Sequence, residues 1–135
     1  MSLVFVDTSF YQALLNPRDQ WHGIAVAFSR EFRGNTVTSE YVLCELGALM
    51  SPPHLRRVFV EFVGALASSH LVEVSAASPE SFQAGLELFA DRLDKEWSLT
   101  DCVSFAMMKQ RGIVETLSFD HHFEQAGFGL LPGRR

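Results

Sequence analysis

Apolar runs too brief to form helices alternate along this chain with longer stretches patterned for helices. Residues 3–6, Leu3-Val4-Phe5-Val6, read as a buried strand bounded by polar residues. A helix over about 9–15 follows and is closed by Asn16-Pro17. A second, over about 20–33, sets Trp21, Ala25, Phe28 and Phe32 on one face, with Gly34 as its expected C-terminal cap. Residues 36–38 fit a short strand. The helix over about 40–50 carries Val42, Leu46, Leu49 and Met50, and Pro52-Pro53 ends it. The clearest amphipathic stretch is next, with Leu55, Val58, Phe59, Phe62, Val63 and Leu66 on its apolar face. A strand near 71–74 leads to Ser78-Pro79, an N-cap with proline at the first helical position. The helix it opens carries Phe82, Leu86, Phe89, Ala90 and Leu93. Another, over about 99–111, carries Leu99, Cys102, Val103, Ala106 and Met107 and stops at Gly112. A strand over 113–118, a short helix from about 121 and an edge strand near 128–131 complete the pattern.

Such alternation predicts an α/β domain with a mostly parallel sheet, its right-handed crossovers covering both faces with helices. The 135 residues fit one domain, 1–135. A hydrophobic content of 47% with 12 phenylalanines supplies a core and excludes disorder. No apolar run approaches the ~20 residues needed to span a bilayer. The opening residues lack the basic region and apolar stretch of a signal peptide, so a cytoplasmic, non-membrane protein is expected. Cys44 and Cys102 form no C-x-x-C and no zinc spacing, and both are expected to be reduced core residues.

In parallel sheets ligands bind beyond the carboxyl ends of the strands. Asp7 and Asp120 stand at two of those ends, Asp101 opens a helical pattern, and Glu45 lies within another. Each aspartate also has a purely structural reading. Asp7 and Asp120 precede helices and suit N-caps, and Asp101 fits a capping box with Ser98. Glu45 caps nothing, and falls at about −60° from Val42 on the helical wheel, on the rim of the buried stripe. Gathering four carboxylates is costly without counter-charge. The only lysines, Lys95 and Lys109, do not stand at strand ends. A hard, oxygen-liganded cation, Mg²⁺ or Mn²⁺, is the natural compensation. The formal net charge of −5 counts against a nucleic-acid partner. Cations bound at the four acids would offset much of it, so charge does not exclude an RNA substrate.

These residues resemble the motifs of a known family. Asp7-Thr8-Ser9 after a first strand resembles the opening of a PIN domain. Thr38-Ser39-x-x-Val42-x-x-Glu45 is similar to its second acidic motif, and Ser98-Leu99-Thr100-Asp101-Cys102-x-Ser104-Phe105 to its third. Ser118-Phe119-Asp120-His121-His122-Phe123-x-x-x-Gly127-Phe128 resembles the fourth, with serine at 118 where threonine is frequent. The likeness spans nearly the whole chain, in the family's order, and is greatest to the VapC-type ribonuclease toxins. It implies a three-layer α/β/α domain with a five-stranded sheet, and a metal-dependent endoribonuclease acting on RNA. Asp7, Glu45, Asp101 and Asp120 would then be metal ligands for Mg²⁺ or Mn²⁺. Thr8 and Ser118 would orient a carboxylate or a water, and Asp94 is an extra acid in some relatives. The resemblance also suggests a homodimer and raises a cognate antitoxin as a partner.

Other readings fit less of the chain. Asp120-His121-His122 spells the DHH signature of another phosphoesterase family, yet no further aspartate and histidine motifs precede it. The plainer reading has one histidine exposed and one packed near the helix start. A receiver module would need adjacent acids after the first strand and a lysine after the last, and neither is present. A PIN-shaped binding module without nuclease activity would be marked by a lost acid, and all four remain. For gripping RNA the candidates are Arg56, Arg57, Arg92, Lys95, Lys109 and Arg111, which form no single stripe. The helices over 40–50 and 55–67 are the candidates for a dimer face or an antitoxin groove.

Overall fold

Five strands and seven helices form among residues 3–133, which the computed structural model describes; residues 1, 2, 134 and 135 of the expected domain lie outside the described residues. In chain order they are β1 (Val4–Val6), α1 (Thr8–Leu15), α2 (His22–Glu31), β2 (Thr36–Ser39), α3 (Glu40–Leu49) and α4 (Pro53–Ser68). Then come β3 (Val72–Ser75), α5 (Pro79–Asp91), α6 (Leu99–Gln110), β4 (Glu115–Leu117), α7 (His121–Gln125) and β5 (Gly129–Leu131). All four strand pairings are parallel, in the spatial order β3-β2-β1-β4-β5. The sheet is thus wholly parallel where the sequence predicts a mostly parallel one.

Strand order fixes where a ligand can enter. From β1 the chain steps outward to β2 and β3, then returns past β1 to β4 and β5. With right-handed connections this reversal puts helices on both faces and makes three layers. It also opens a crevice between β1 and β4, where crossovers depart in opposite directions. Phe5 pairs with Thr116 and Val6 with Leu117, so Asp7 and Ser118 leave the sheet side by side. The core around these strands holds Phe5, Val37, Val42, Leu46, Met108 and Phe123, all fully buried. Phe123 stacks on Phe5 at 6.5 Å and meets Phe105 edge-on at 4.8 Å, tying α7 and α6 to the central strand.

Several expectations are corrected. The apolar row of α5 does not face the core: Phe82, Leu86 and Phe89 are exposed, and Leu93 lies beyond the helix end, 91% exposed. The buried residue of that helix is Gly85, set directly against Val103 of α6. Close approach through a glycine, rather than interdigitating large side chains, sets this contact, and the large residues fall on the flank. Leu49 and Val58 are likewise exposed. Gly34 does not adopt the left-handed cap expected of it; that backbone occurs at Gly112 after α6 (φ 66°). The second helix starts at His22, because Asp19 folds the preceding residues into a turn by accepting from the Trp21 amide. Cys44 is exposed on α3, and only Cys102 is buried.

A Cβ at residue 85 would lie 2.3 Å from Val103 Cγ2 and 2.8 Å from Val103 Cα, so the two helices would have to separate. We expect Gly85→Ala to lower unfolding free energy by about 1–3 kcal/mol, read from the denaturant midpoint. An unchanged midpoint would show that this contact is not tight.

Candidate active site

Asp7 follows β1 directly, and its amide extends the sheet pairing by donating to the Leu117 carbonyl (3.1 Å). Its side chain caps α1, as an aspartate at a strand-to-helix junction should. Three donors converge on Oδ2: the Ser9 amide (3.3 Å), Ser9 Oγ (2.8 Å) and Ser118 Oγ (2.9 Å). Asp120 caps α7, with Oδ1 accepting from the His122 amide (2.9 Å), while its own amide donates to Ser118 Oγ (3.0 Å). Asp101 completes the capping box of α6: Oδ2 accepts from the Ser98 amide (3.1 Å) and its amide donates to Ser98 Oγ (3.0 Å).

All three structural readings are therefore correct, and none removes the aspartates from the site. Among the described residues each cap occupies one carboxylate oxygen and leaves the other without a hydrogen bond. Glu45, half-buried on α3, has no hydrogen bond or ion pair there at all. Asp101 and Asp120 act electrostatically on Asp7, and Asp120 and Glu45 on Asp101. Asp7 is held up by burial, against the opposing hydrogen bonds from Ser9 and Ser118, with further upward pressure from Asp101 and Asp120; its pKa reaches about 7. Asp101 is raised by burial first and by Asp120 and Glu45, with the Ser98 amide and His122 pulling it down. Like charges pressed together in a desolvated crevice, with open oxygen donors, are what a hard divalent cation relieves. The donor set fits Mg²⁺ or Mn²⁺.

Other predicted residues take different places. Ser118 Oγ donates to Asp7 Oδ2. Thr8 is buried, but its Oγ1 has no hydrogen-bond partner among the described residues. The hydroxyl beside Asp7 that does orient it belongs to Ser9, which also accepts from the Phe119 amide (2.9 Å). Asp94 does not join the acids; Arg92 holds it on the surface through two hydrogen bonds (2.9 and 3.0 Å), which drop its pKa to about 2. Arg111 is likewise engaged by Glu73.

His122 was not foreseen as a site residue. Its Nδ1 lies 3.2 Å from Asp101 Oδ2 and 3.3 Å from Asp120 Oδ1, bridging two of the acids. Asp120, His121 and His122 also offer one ligand atom each within 4.8 Å of one another. The signal was present: a residue two after an N-cap aspartate starts a helix within reach of that carboxylate.

A family model described as PIN domain matches residues 4–129. Over 126 residues the chain is 32% identical to the 23S rRNA-specific endonuclease VapC20 of Mycobacterium tuberculosis, covering 93% of this chain and 95% of that protein. The crystal structure of Mycobacterium tuberculosis VapC20, described as a sarcin-ricin loop cleaving toxin, matches with a TM-score of 0.84 over 94% of this chain and 96% of that one. FitAcB from Neisseria gonorrhoeae shares the fold at a TM-score of 0.67 and 17% identity, covering 94% and 95% of the two chains.

The raised Asp7 carboxyl has a consequence for pH. Its unfolded value is 3.8 and its folded value about 7, so the folded state favours the protonated form. That contribution is complete below about pH 4 and is lost as pH rises through about 7. Without metal, wild-type protein should lose on the order of 4 kcal/mol across this window relative to Asp7→Asn. Adding Mn²⁺ should restore stability most at the alkaline end, where the proton no longer competes. Thermal melts of both proteins across the window, with EDTA or Mn²⁺, measure this; parallel pH curves would refute it.

Proposed function

Because the chain belongs to the PIN-domain family, we propose that it is an endoribonuclease of the VapC toxin type, hydrolysing RNA phosphodiester bonds at its acidic crevice. What supports this reading is that Asp7 feels Asp101 and Asp120 while Asp101 feels Glu45, at the ends of the adjacent strands β1 and β4, each aspartate keeping one open oxygen. The 23S rRNA specificity of the VapC20 relative makes structured ribosomal RNA the first substrate class to test.

We assign metal binding to those four acids. Mg²⁺ or Mn²⁺ held there would acidify a water and offset charge developing on the phosphate. Ser9 and Ser118 fix the Asp7 carboxylate so that its open oxygen has one direction. Ser118 also holds the Asp120 amide, which couples two acids through one hydroxyl. His122 Nδ1 lies between Asp101 and Asp120, within hydrogen-bond reach of either. A carboxylate of the cluster suits the role of proton acceptor.

The same proposal includes a single domain over 1–135, a cytoplasmic protein, a homodimer and a cognate antitoxin. No helix among the described residues is long and apolar enough to cross a membrane. The exposed row Phe82, Leu86 and Phe89 on α5 supports a dimer face there, rather than on α3 and α4 as the sequence suggests. A cleft of about 470 Å³, bounded by Leu15 of α1, Met50 after α3 and Leu55 of α4, supports an antitoxin groove at the expected helices.

The test is Asp101→Asn, assayed on total cellular RNA with Mn²⁺ and by thermal melting in EDTA. We expect cleavage to fall by at least about a hundredfold while metal-free stability is equal or higher, since an amide retains the capping acceptor and removes a repelling charge. Normal cutting would sink the assignment, and a metal-free loss of about 1 kcal/mol would make the cap its main role. Ser9→Ala should reduce cleavage more than Thr8→Val, because only Ser9 touches Asp7; the reverse order, in the same assay, would restore the role first expected of Thr8.

A further inference from the structure

Trp21 is the outer member of a column of three rings that begins in the core and ends at the surface beside the acidic crevice. Phe10, buried, stacks on Phe119 with centroids 5.9 Å apart and planes 14° apart. Phe119 stacks in turn on Trp21 at 5.3 Å and 5°. Trp21 is 37% exposed. The middle ring stands between Ser118 and Asp120 in sequence, and its amide is bonded to Ser9, which in turn holds Asp7. The column is thus fastened to the same network that orients the acids.

Trp21 is also held from its own side. Its amide donates to Asp19 Oδ1 (2.8 Å), and the next residue, His22, donates from Nδ1 to the Ala13 carbonyl of α1 (2.8 Å). With its backbone anchored and its ring stacked on Phe119, the indole loses little freedom when something stacks on it. Of the six basic groups expected to grip RNA, two are engaged by acids of the protein itself, Arg92 by Asp94 and Arg111 by Glu73. At a net charge of −5 a hold that does not depend on phosphate charge adds to what the remaining basic groups supply, and ring-on-base stacking is such a hold.

We propose that Trp21 is a stacking platform for an unpaired nucleobase of the RNA strand, extending the Phe10–Phe119–Trp21 column by one ring and positioning the neighbouring phosphodiester over the acids. This rests on the ribonuclease reading above and names how that site takes hold of its substrate. Trp21 is a positioning residue; the acids do the chemistry. Single-stranded or looped RNA is the class it fits, because only there are bases free to stack on protein.

The experiment uses the full chain and a short synthetic RNA spanning the position that wild type cuts in total cellular RNA. Trp21→Ala and Trp21→Leu should raise KM on the order of tenfold or more with kcat within about twofold, while Trp21→Phe stays near wild type. Binding is read separately in EDTA from tryptophan fluorescence. The second tryptophan, Trp97, is buried and donates to Gln125, so quenching by RNA should vanish with Trp21→Phe. If Trp21→Ala fails to fold, the comparison of Trp21→Leu with Trp21→Phe decides. Unchanged KM in the leucine or alanine variant, or equal quenching in the phenylalanine variant, would overturn the stacking role while leaving the nuclease intact. Wild-type protein that cuts no cellular RNA with Mn²⁺ would overturn the underlying reading.

Discussion

One carboxylate oxygen, Asp7 Oδ2, is the point on which the site depends. It receives Ser9 from α1 and Ser118 from the end of β4, while the Asp7 amide is spent on the sheet. Through those serines it reaches the amides of Phe119 and Asp120, so the loop after β4 has no independent conformation. Desolvation of a carboxyl there is costly, and these short bonds are what the fold provides in partial return. The remainder of the cost is left standing as electrostatic pressure among the acids. Protonation of Asp7 relieves part of that pressure, and a bound cation would relieve it in the same way.

Parallel topology does the coarse placement. A strand order that reverses at β1 sets two strand ends adjacent, and chain register puts an acid just past each. α6 and α3 then bring Asp101 and Glu45 from the flanks. The tightness of the α5–α6 contact at Gly85 matters because α6 carries Asp101 two residues before Val103, so packing on the far side of the helix sets the depth of the acid.

Much of this was legible in residue order. Strand and helix alternation marks the fold because the two periodicities differ, and acids at strand ends mark the crevice because parallel sheets bind ligands there. Misreadings arose where local pattern and tertiary packing diverge. In α5 the largest apolar residues form the visible stripe, yet the buried face is the one whose small residue admits a neighbouring backbone. At the Asp-Thr-Ser motif, spacing cannot tell which hydroxyl turns toward the carboxylate; the first turn of α1 selects Ser9. The bridging of two acids by His122, and the ring column ending at Trp21, join residues far apart in sequence, and no periodicity reports such contacts.

Capping with one oxygen while leaving its twin open has an evolutionary side. A cap needs only an acceptor, which asparagine offers as well as aspartate, whereas a cation site needs the charge. Aspartate and asparagine codons differ by a single base. A lineage could therefore silence this chemistry in one mutational step at Asp7, Asp101 or Asp120 and keep every helix start intact. Descendants of such a chain would retain the shape of an endonuclease without its activity, ready for recruitment as inert competitors or scaffolds. Architecture and reactivity are written in the same residues here, but they can be lost separately.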